Sequence, residues 1–196
     1  MIVQCHIDKG NPESFVVGQI VYVDSKWMLM KDISTSGRWN GLALYKRSDL
    51  VSVKKKSDYL TRMQILVNHR NRTEPPVPIM FGNPLITLLQ YAKETSAVVG
   101  LELLSSGHCD IYGFVSSVDH HYISVHQIDE YGHDDGTSLI STSVITRCFL
   151  GDEEAECLEI LFRKQCRSED GFAGQEDGSK PMKKSPKCSE NPETMV

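Results

Sequence analysis

The sequence predicts a mainly β, α+β protein made by duplication, with two copies of a five-stranded unit, each followed by a helix. Residues 18–67 and 113–162 align without a gap at a constant offset of 95. Gly18, Val23, Asp24, Ile33, Gly37, Gly41, Leu44, Ser48, Ile65 and Leu66 recur as Gly113, Val118, Asp119, Ile128, Gly132, Gly136, Leu139, Ser143, Ile160 and Leu161. Other pairs keep their type, as Trp27 with Tyr122, Met28 with Ile123 and Met63 with Leu158. Within each copy, short runs rich in Val, Ile, Leu, Met and aromatic residues are separated by turn chemistry and then give way to one segment of helical period. The shared positions are turn glycines and apolar residues, which specify a fold. Charged and nucleophilic residues mostly differ between the copies and so specify no common chemistry.

In the first copy, strands are predicted over 2–7, 15–23, 27–33, 42–46 and 50–54. Alternation in the third puts Met28 and Met30 on one face, expected to be the core, and Trp27, Leu29 and Lys31 on the other. Asn40-Gly41 tolerates the positive φ of a primed turn, and Gly37 opens the same stretch, so a tight hairpin end is expected there. Ser57 is placed to cap a helix whose apolar face is Leu60, Met63, Leu66 and Val67. Residues 69–82, with Glu74-Pro75-Pro76-Val77-Pro78, read as a linker between a first unit at 1–68 and a second at 83–166. Asn83-Pro84 then supplies an N-cap and first turn for a helix ending at Thr95. The second copy repeats strands over 97–104, 111–118, 122–128, 137–141 and 144–149, with Ile123 and Val125 on the core face. Asp135-Gly136 and Gly132 stand at its hairpin, and Ala155, Leu158, Leu161 and Phe162 line a helix after Asp152. Residues 167–196 are rich in Gly, Ser, Pro, Lys and Glu, with Phe172 their only aromatic. They hold too little apolar surface to order themselves and are expected to form a disordered tail.

A chain of 196 residues with 40% hydrophobic content can build two small cores, each near the lower size limit for independent stability, so mutual packing is expected. No run approaches the ~18 apolar residues of a membrane helix, and the N-terminal MIVQCHIDKGN lacks the pattern of a secretory signal, so a cytoplasmic chain without a membrane partner is expected. Cys5, Cys109, Cys148, Cys157, Cys166 and Cys188 form no CxxC and do not match between copies, so neither a disulfide framework nor a zinc site is expected. Charge is polarised. Residues 1–75 carry 12 Lys and Arg against 7 Asp and Glu, whereas residues 76–166 carry 4 against 13. Opposite polarity favours contact between the copies, within a chain or head to tail between chains.

Five short strands in a hairpin-rich meander describe a small barrel of the SH3 or Sm type. The run Val17-Gly18-Gln19-Ile20, followed by Val23-Asp24 and Trp27-Met28-Leu29, resembles the first Sm signature, in which a glycine bends a strand and an aspartate precedes an apolar one. Residues 113–124 are similar to it as well. Where Sm proteins place an asparagine after that step, this chain has Met28 and Ile123. The second signature, an Arg-Gly or Lys-Gly turn, is replaced by Arg47-Ser48-Asp49 and Thr142-Ser143-Val144. Those are the RNA-binding positions of the family, so the resemblance implies tandem SH3/Sm-like barrels and not the ligand. The chain is also similar to uncharacterised tandem-barrel proteins of bacteria.

His108, Asp110, Asp119, His120, His121, His126, Asp129, Glu130, His133, Asp134 and Asp135 form an imidazole and carboxylate cluster of the kind that binds a divalent metal, and a metal-dependent hydrolase on these histidines is one alternative. The matching first-copy residues include Ser25, Lys26, Lys31 and Arg38, and no spacing is diagnostic, so no metal ligand is nominated. Ser48 and Ser143 recur but lie in no GxSxG elbow; there is no Walker loop and no GxGxxG. No catalytic residue and no cofactor follow. Lys46, Arg47, Lys54, Lys55, Lys56, Arg62, Arg70 and Arg72, near Trp39 and Tyr45, are the residues an RNA- or DNA-binding alternative would use. The expected function is non-enzymatic binding of a protein partner, with a second copy of the chain among the candidates, through barrel edges and the faces of Trp27, Leu29 and Trp39.

Overall fold

The structure, a computed structural model, describes residues 1–8, 11, 13–70 and 73–170. In the first copy β1 (Val3–His6), β2 (Val16–Val23), β3 (Trp27–Ile33) and β4 (Trp39–Lys46) follow one another as antiparallel neighbours. A single 3₁₀ turn over Arg47–Asp49 leads to the short β5 (Ser52–Lys54), which pairs with β1. Helix α1 (Asp58–Arg70) follows, started by Ser57, whose hydroxyl oxygen accepts the Leu60 amide at 3.1 Å. Helix α2 (Pro84–Thr95) begins at the expected Asn83-Pro84 and ends on Ser96 in the left-handed region. The second copy comprises β6 (Val98–Leu103), β7 (Ile111–Val118), β8 (Tyr122–Ile128), β9 (Asp134–Ser141), β10 (Ile145–Leu150) and α3 (Glu153–Asp170).

All ten strands belong to one antiparallel sheet that does not close, in the order β5-β1-β2-β3-β4-β10-β6-β7-β8-β9. Each copy therefore has the order fifth, first, second, third, fourth. The match reaches the irregularities: register shifts between Ile20 and Tyr22 and between Lys31 and Ile33 recur between Val115 and Ser117 and between His126 and Ile128. Only the first strand departs from the offset of 95. Gln4 pairs with Lys54 as Gly100 pairs with Phe149, an offset of 96, so the connection to the next strand is one residue shorter in the second copy.

The expected hairpin dipeptides lie elsewhere than predicted. The connection between β3 and β4 is closed by Gly37, whose amide donates to the Ser34 carbonyl at 2.9 Å, and Gly132 does the same to Asp129 at 3.0 Å. Asn40-Gly41 and Asp135-Gly136 instead sit inside β4 and β9, which begin three residues earlier than the sequence suggests, with φ of 73° and 82° at the glycines. A positive φ within a strand marks a bulge as readily as a turn, and local sequence does not separate the two. Likewise α3 runs to Asp170, into the stretch expected to be tail; the rest of that tail, 171–196, lies outside the described residues.

Four apolar clusters hold the sheet. Val3, Cys5, Ile7, Met28, Met30, Ala43 and Tyr45 form the inner core of the first copy. Helix α1 packs Leu60 and Met63 on Ile2, Val17 and Ile33, and α3 packs Ala155 on Val98 and Ile128, which are equivalent arrangements. The largest cluster belongs to both copies. It unites Leu85, Leu88, Leu89 and Ala92 of α2 with Trp27, Leu29, Leu42 and Leu44 of the first copy and Val99, Leu101, Val115, Ile123, Val125 and Ile145 of the second. Met28, Met30, Ile123 and Val125 are fully buried, as the alternation predicts. The opposite face of β3 is buried too, because α2 shares a core with it.

Candidate functional site

The surface that stands out is the pair of unpaired strand edges. Among the described residues β5 pairs only with β1 and β9 only with β8, so each presents a row of backbone donors and acceptors without a strand partner there. A third place of interest is the seam between the copies, where β4 and β10 make the pairing that β9 and β5 lack.

At the seam, Leu42 faces Leu150, Ala43 faces Phe149, Leu44 faces Cys148 and Tyr45 faces Arg147. Gly41 is required there, since a Cβ would collide with the Leu150 carbonyl oxygen and the Gly151 backbone. Asn40 extends the joint by accepting the Glu153 amide, the first of α3, at 2.9 Å. Polar groups line the side of the seam occupied by Tyr45. Arg147 Nε lies 2.8 Å from Oε2 of the buried Glu102, its guanidinium stacks 5.9 Å from the Tyr45 ring, and it donates to the Ile7 carbonyl at 3.5 Å. The Tyr45 hydroxyl donates to Asp32 Oδ2 at 2.6 Å, while Asp32 Oδ1 has no partner. Burial pushes the Asp32 carboxyl up to about 7 and holds the Tyr45 phenol well above its ordinary range. These groups tie the two copies together.

Among the described residues the equivalent edge on β9 is bare. Leu44 is 0% exposed and its equivalent Leu139 is 72% exposed; Trp27 is 1% exposed and its equivalent Tyr122 is 52% exposed. On the other free edge Val53, equivalent to the buried Cys148, is 38% exposed. The edges also differ in charge, with Lys54, Lys55 and Lys56 exposed at β5 and Asp134 and Asp135 exposed at β9.

Two of the residues expected to meet a partner are therefore inside. Trp27 and Leu29 lie in the core shared with α2, and the reason is tertiary, since β3 alternates normally but both of its faces are covered. Trp39 is half-buried at the head of β4 and borders a groove of about 330 Å³ walled by Leu42, Pro75, Pro76, Tyr91 and Leu150. Tyr122 and Leu139 of the second copy are the exposed apolar residues instead, and their alignment with the buried Trp27 and Leu44 gives no sequence signal that separates them.

The basic residues do not converge. Lys46 and Arg47 stand at the turn before β5, where Arg47 Nη1 donates to the Asp24 carbonyl at 3.1 Å, and Lys54–Lys56 stand at its exit. Arg62 rests 5.9 Å from the Tyr59 ring, Arg70 ends α1, and Arg72 lies outside the described residues. The imidazoles of the second copy pair locally, His108 with Asp110 at 3.1 Å, His126 with Asp134 at 3.5 Å and His133 with Asp129 at 3.1 Å. Asp119 is a turn residue that accepts the His121 amide at 2.7 Å, as Asp24 accepts that of Lys26. Among the described residues no three His, Cys, Asp or Glu side chains come together to hold a metal ion, and no helix is long and apolar enough to cross a membrane. Within the chain, Lys54, Lys55 and Lys56 make no contact with the acidic copy, because β5 lies at the far edge of its half of the sheet from the β4–β10 seam. Comparison with protein families, curated proteins and solved structures finds no match to the chain.

Proposed function

We propose that the chain is a non-enzymatic binding protein, a tandem of small SH3/Sm-like barrels that recruits a protein partner by adding its strand to an exposed sheet edge. The observation that carries this is the state of β9: eight residues long, unpaired on one side among the described residues, and presenting Leu139, with Tyr122 of β8 beside it, at positions whose equivalents are buried. Long open edges with exposed apolar side chains are normally blunted, so one left open is suited to a strand from outside. The repeated strand order and matched bulges support the barrel reading of each copy.

Capture from the native cell with the wild-type chain and with Leu139→Lys, followed by mass spectrometry, tests it. A stoichiometric protein held by the wild type and lost from the edge variant, with melting temperatures equal, is the expected outcome. Salt-sensitive retention of nucleic acid that requires Lys54, Lys55 and Lys56, with no edge-dependent protein, would replace it with the nucleic-acid alternative.

A further inference from the structure

We propose that the end of the seam between the copies is a proton-controlled latch, held shut while the carboxyls of Asp32 and Asp152 are protonated and loosened once both are ionised. The latch is independent of the edge-binding reading and gives the joint a second, regulated state. The two carboxyls stand on either side of a close approach between the copies. Asp32 lies in β3 between Lys31, which faces Leu42, and Ile33, which faces Trp39, so it is set against the Asn40-Gly41 bulge of β4. Gly41 in turn meets the Gly151 backbone, and Asp152 is the next residue, its carbonyl accepting the Glu156 amide of α3 at 3.0 Å. Each carboxyl has one oxygen on a tyrosine hydroxyl, Asp32 Oδ2 on Tyr45 at 2.6 Å and Asp152 Oδ2 on Tyr112 at 3.4 Å. The other oxygen of each, Oδ1, is buried without a hydrogen-bond partner among the described residues. An ionised carboxylate with an unsatisfied buried oxygen is costly, and a second one nearby adds repulsion, so a proton on each keeps the joint neutral.

The surrounding groups do not neutralise a negative charge there. Cys5 of β1 and Tyr45 of β4 lie near Asp32; Cys109, Tyr112 of β7, Cys148 of β10 and Glu154 of α3 lie near Asp152. Arg147 of β10 reaches the same face, 5.9 Å from the Tyr45 ring, but is paired with Glu102 at 2.8 Å. Burial raises both carboxyls, Asp32 to about 7 with the Asp152 charge adding to it, and Asp152 to about 6 with the Glu154 charge adding to it. The closed joint therefore prefers the protonated forms. Opening, which returns the carboxyls to water, becomes easier as pH rises from 3.8 to these values and gains nothing further above them. What opens is the apolar groove at the same place. Gly41, Leu42, Leu150 and Gly151 wall it with Trp39 and Glu156, and Leu42 is only 2% exposed while the joint is closed. Parting the Asn40-Gly41 bulge from the start of α3 bares Leu42 and Leu150 together.

Amide hydrogen exchange of the purified full-length chain between pH 5 and 8, with each rate divided by that of an unstructured chain at the same pH, tests the latch. Protection at 40–42 and 150–156 is expected to fall by roughly tenfold per pH unit for each carboxyl that reaches water, and to level off above pH 7. Protection at 122–128 in β8, remote from the joint, should change little. Asp32→Asn and Asp152→Asn keep an acceptor for each tyrosine, and Asn also suits the residue before a helix. Each should remove part of the fall, and the double variant should show level protection across the range. In the wild type, the side-chain carboxyl carbon signals of Asp32 and Asp152 should titrate over the interval in which protection falls, a readout that needs no variant to fold. Protection that stays flat from pH 5 to 8, a fall that survives in the double variant, a loss shared equally by β8, or carboxyls that titrate near pH 4 overturns the latch.

Discussion

Asp32 and its neighbours show what a duplicated position becomes when the copies diverge. Its equivalent Gln127 bonds Ser138 at 2.9 Å, while Asp32 is a buried carboxyl with one oxygen on the Tyr45 hydroxyl and one without a partner. Burial raises Asp32 from 3.8 to about 7 and Asp152 from 3.8 to about 6. A carboxyl whose folded value lies above its unfolded one holds its proton more tightly in the fold. Its contribution is therefore complete below pH 3.8 and is lost as pH rises through 7, a shift corresponding to roughly 4 kcal/mol for Asp32. Asp32→Asn keeps an acceptor for Tyr45 and carries no charge. It should be more stable than the wild type at pH 7.5, with the difference vanishing by pH 4 in urea titrations; parallel stability curves would show that Asp32 is not the titrating group. Arg147 is the second sensitive residue. Arg147→Met leaves Glu102 buried without its counter-ion and is expected to lose about 3–5 kcal/mol, whereas adding Glu102→Leu should recover most of that, as denaturant midpoints will show.

Among the elements, β4 and β9 are the informative pair, since the same strand occupies a joint in one case and an edge in the other. Gly41→Ala and Gly136→Ala share the cost of a side chain at positive φ, about 1–2 kcal/mol. Only Gly41→Ala drives a Cβ into the β10 backbone. It should lower the melting temperature markedly more than Gly136→Ala in dilute protein, and equal losses would mean that the close approach at the seam is less tight than described. Much of this level could be read from sequence. The five strands of each copy, the caps at Ser57 and Asn83-Pro84, and the core faces of Met28 and Ile123 follow from period and turn chemistry. The placement of Asn40-Gly41 does not follow from sequence, because a glycine at positive φ serves a bulge as well as a turn.

For the whole molecule, the shared core implies that the copies do not melt separately. α2 packs its Leu85, Leu88 and Leu89 into a cluster that contains Trp27 and Leu44 on one side and Ile123 and Val125 on the other. Calorimetry should show one transition with equal calorimetric and van't Hoff enthalpies, and Leu88→Ala, at about 2–5 kcal/mol, should destabilise both copies together. Two resolved transitions would mean that the seam is a docking contact between independent units.

Leu44 and Leu139 mark the boundary between what the sequence determined and what only the tertiary structure decided. They are the same residue at the same place in the repeat, and from the sequence alone their strands, registers and turns follow equally, because alternation and turn chemistry are local. Yet Leu44 is buried against β10 and α2 while Leu139 lies open at the sheet edge. Burial depends on which distant strand arrives alongside, and the linker and α2 deliver the second copy to β4 and, among the described residues, no strand to the open side of β9. The candidate site was invisible for that reason: a free edge is defined by the neighbour it lacks, and neighbours are settled only when the whole chain has packed.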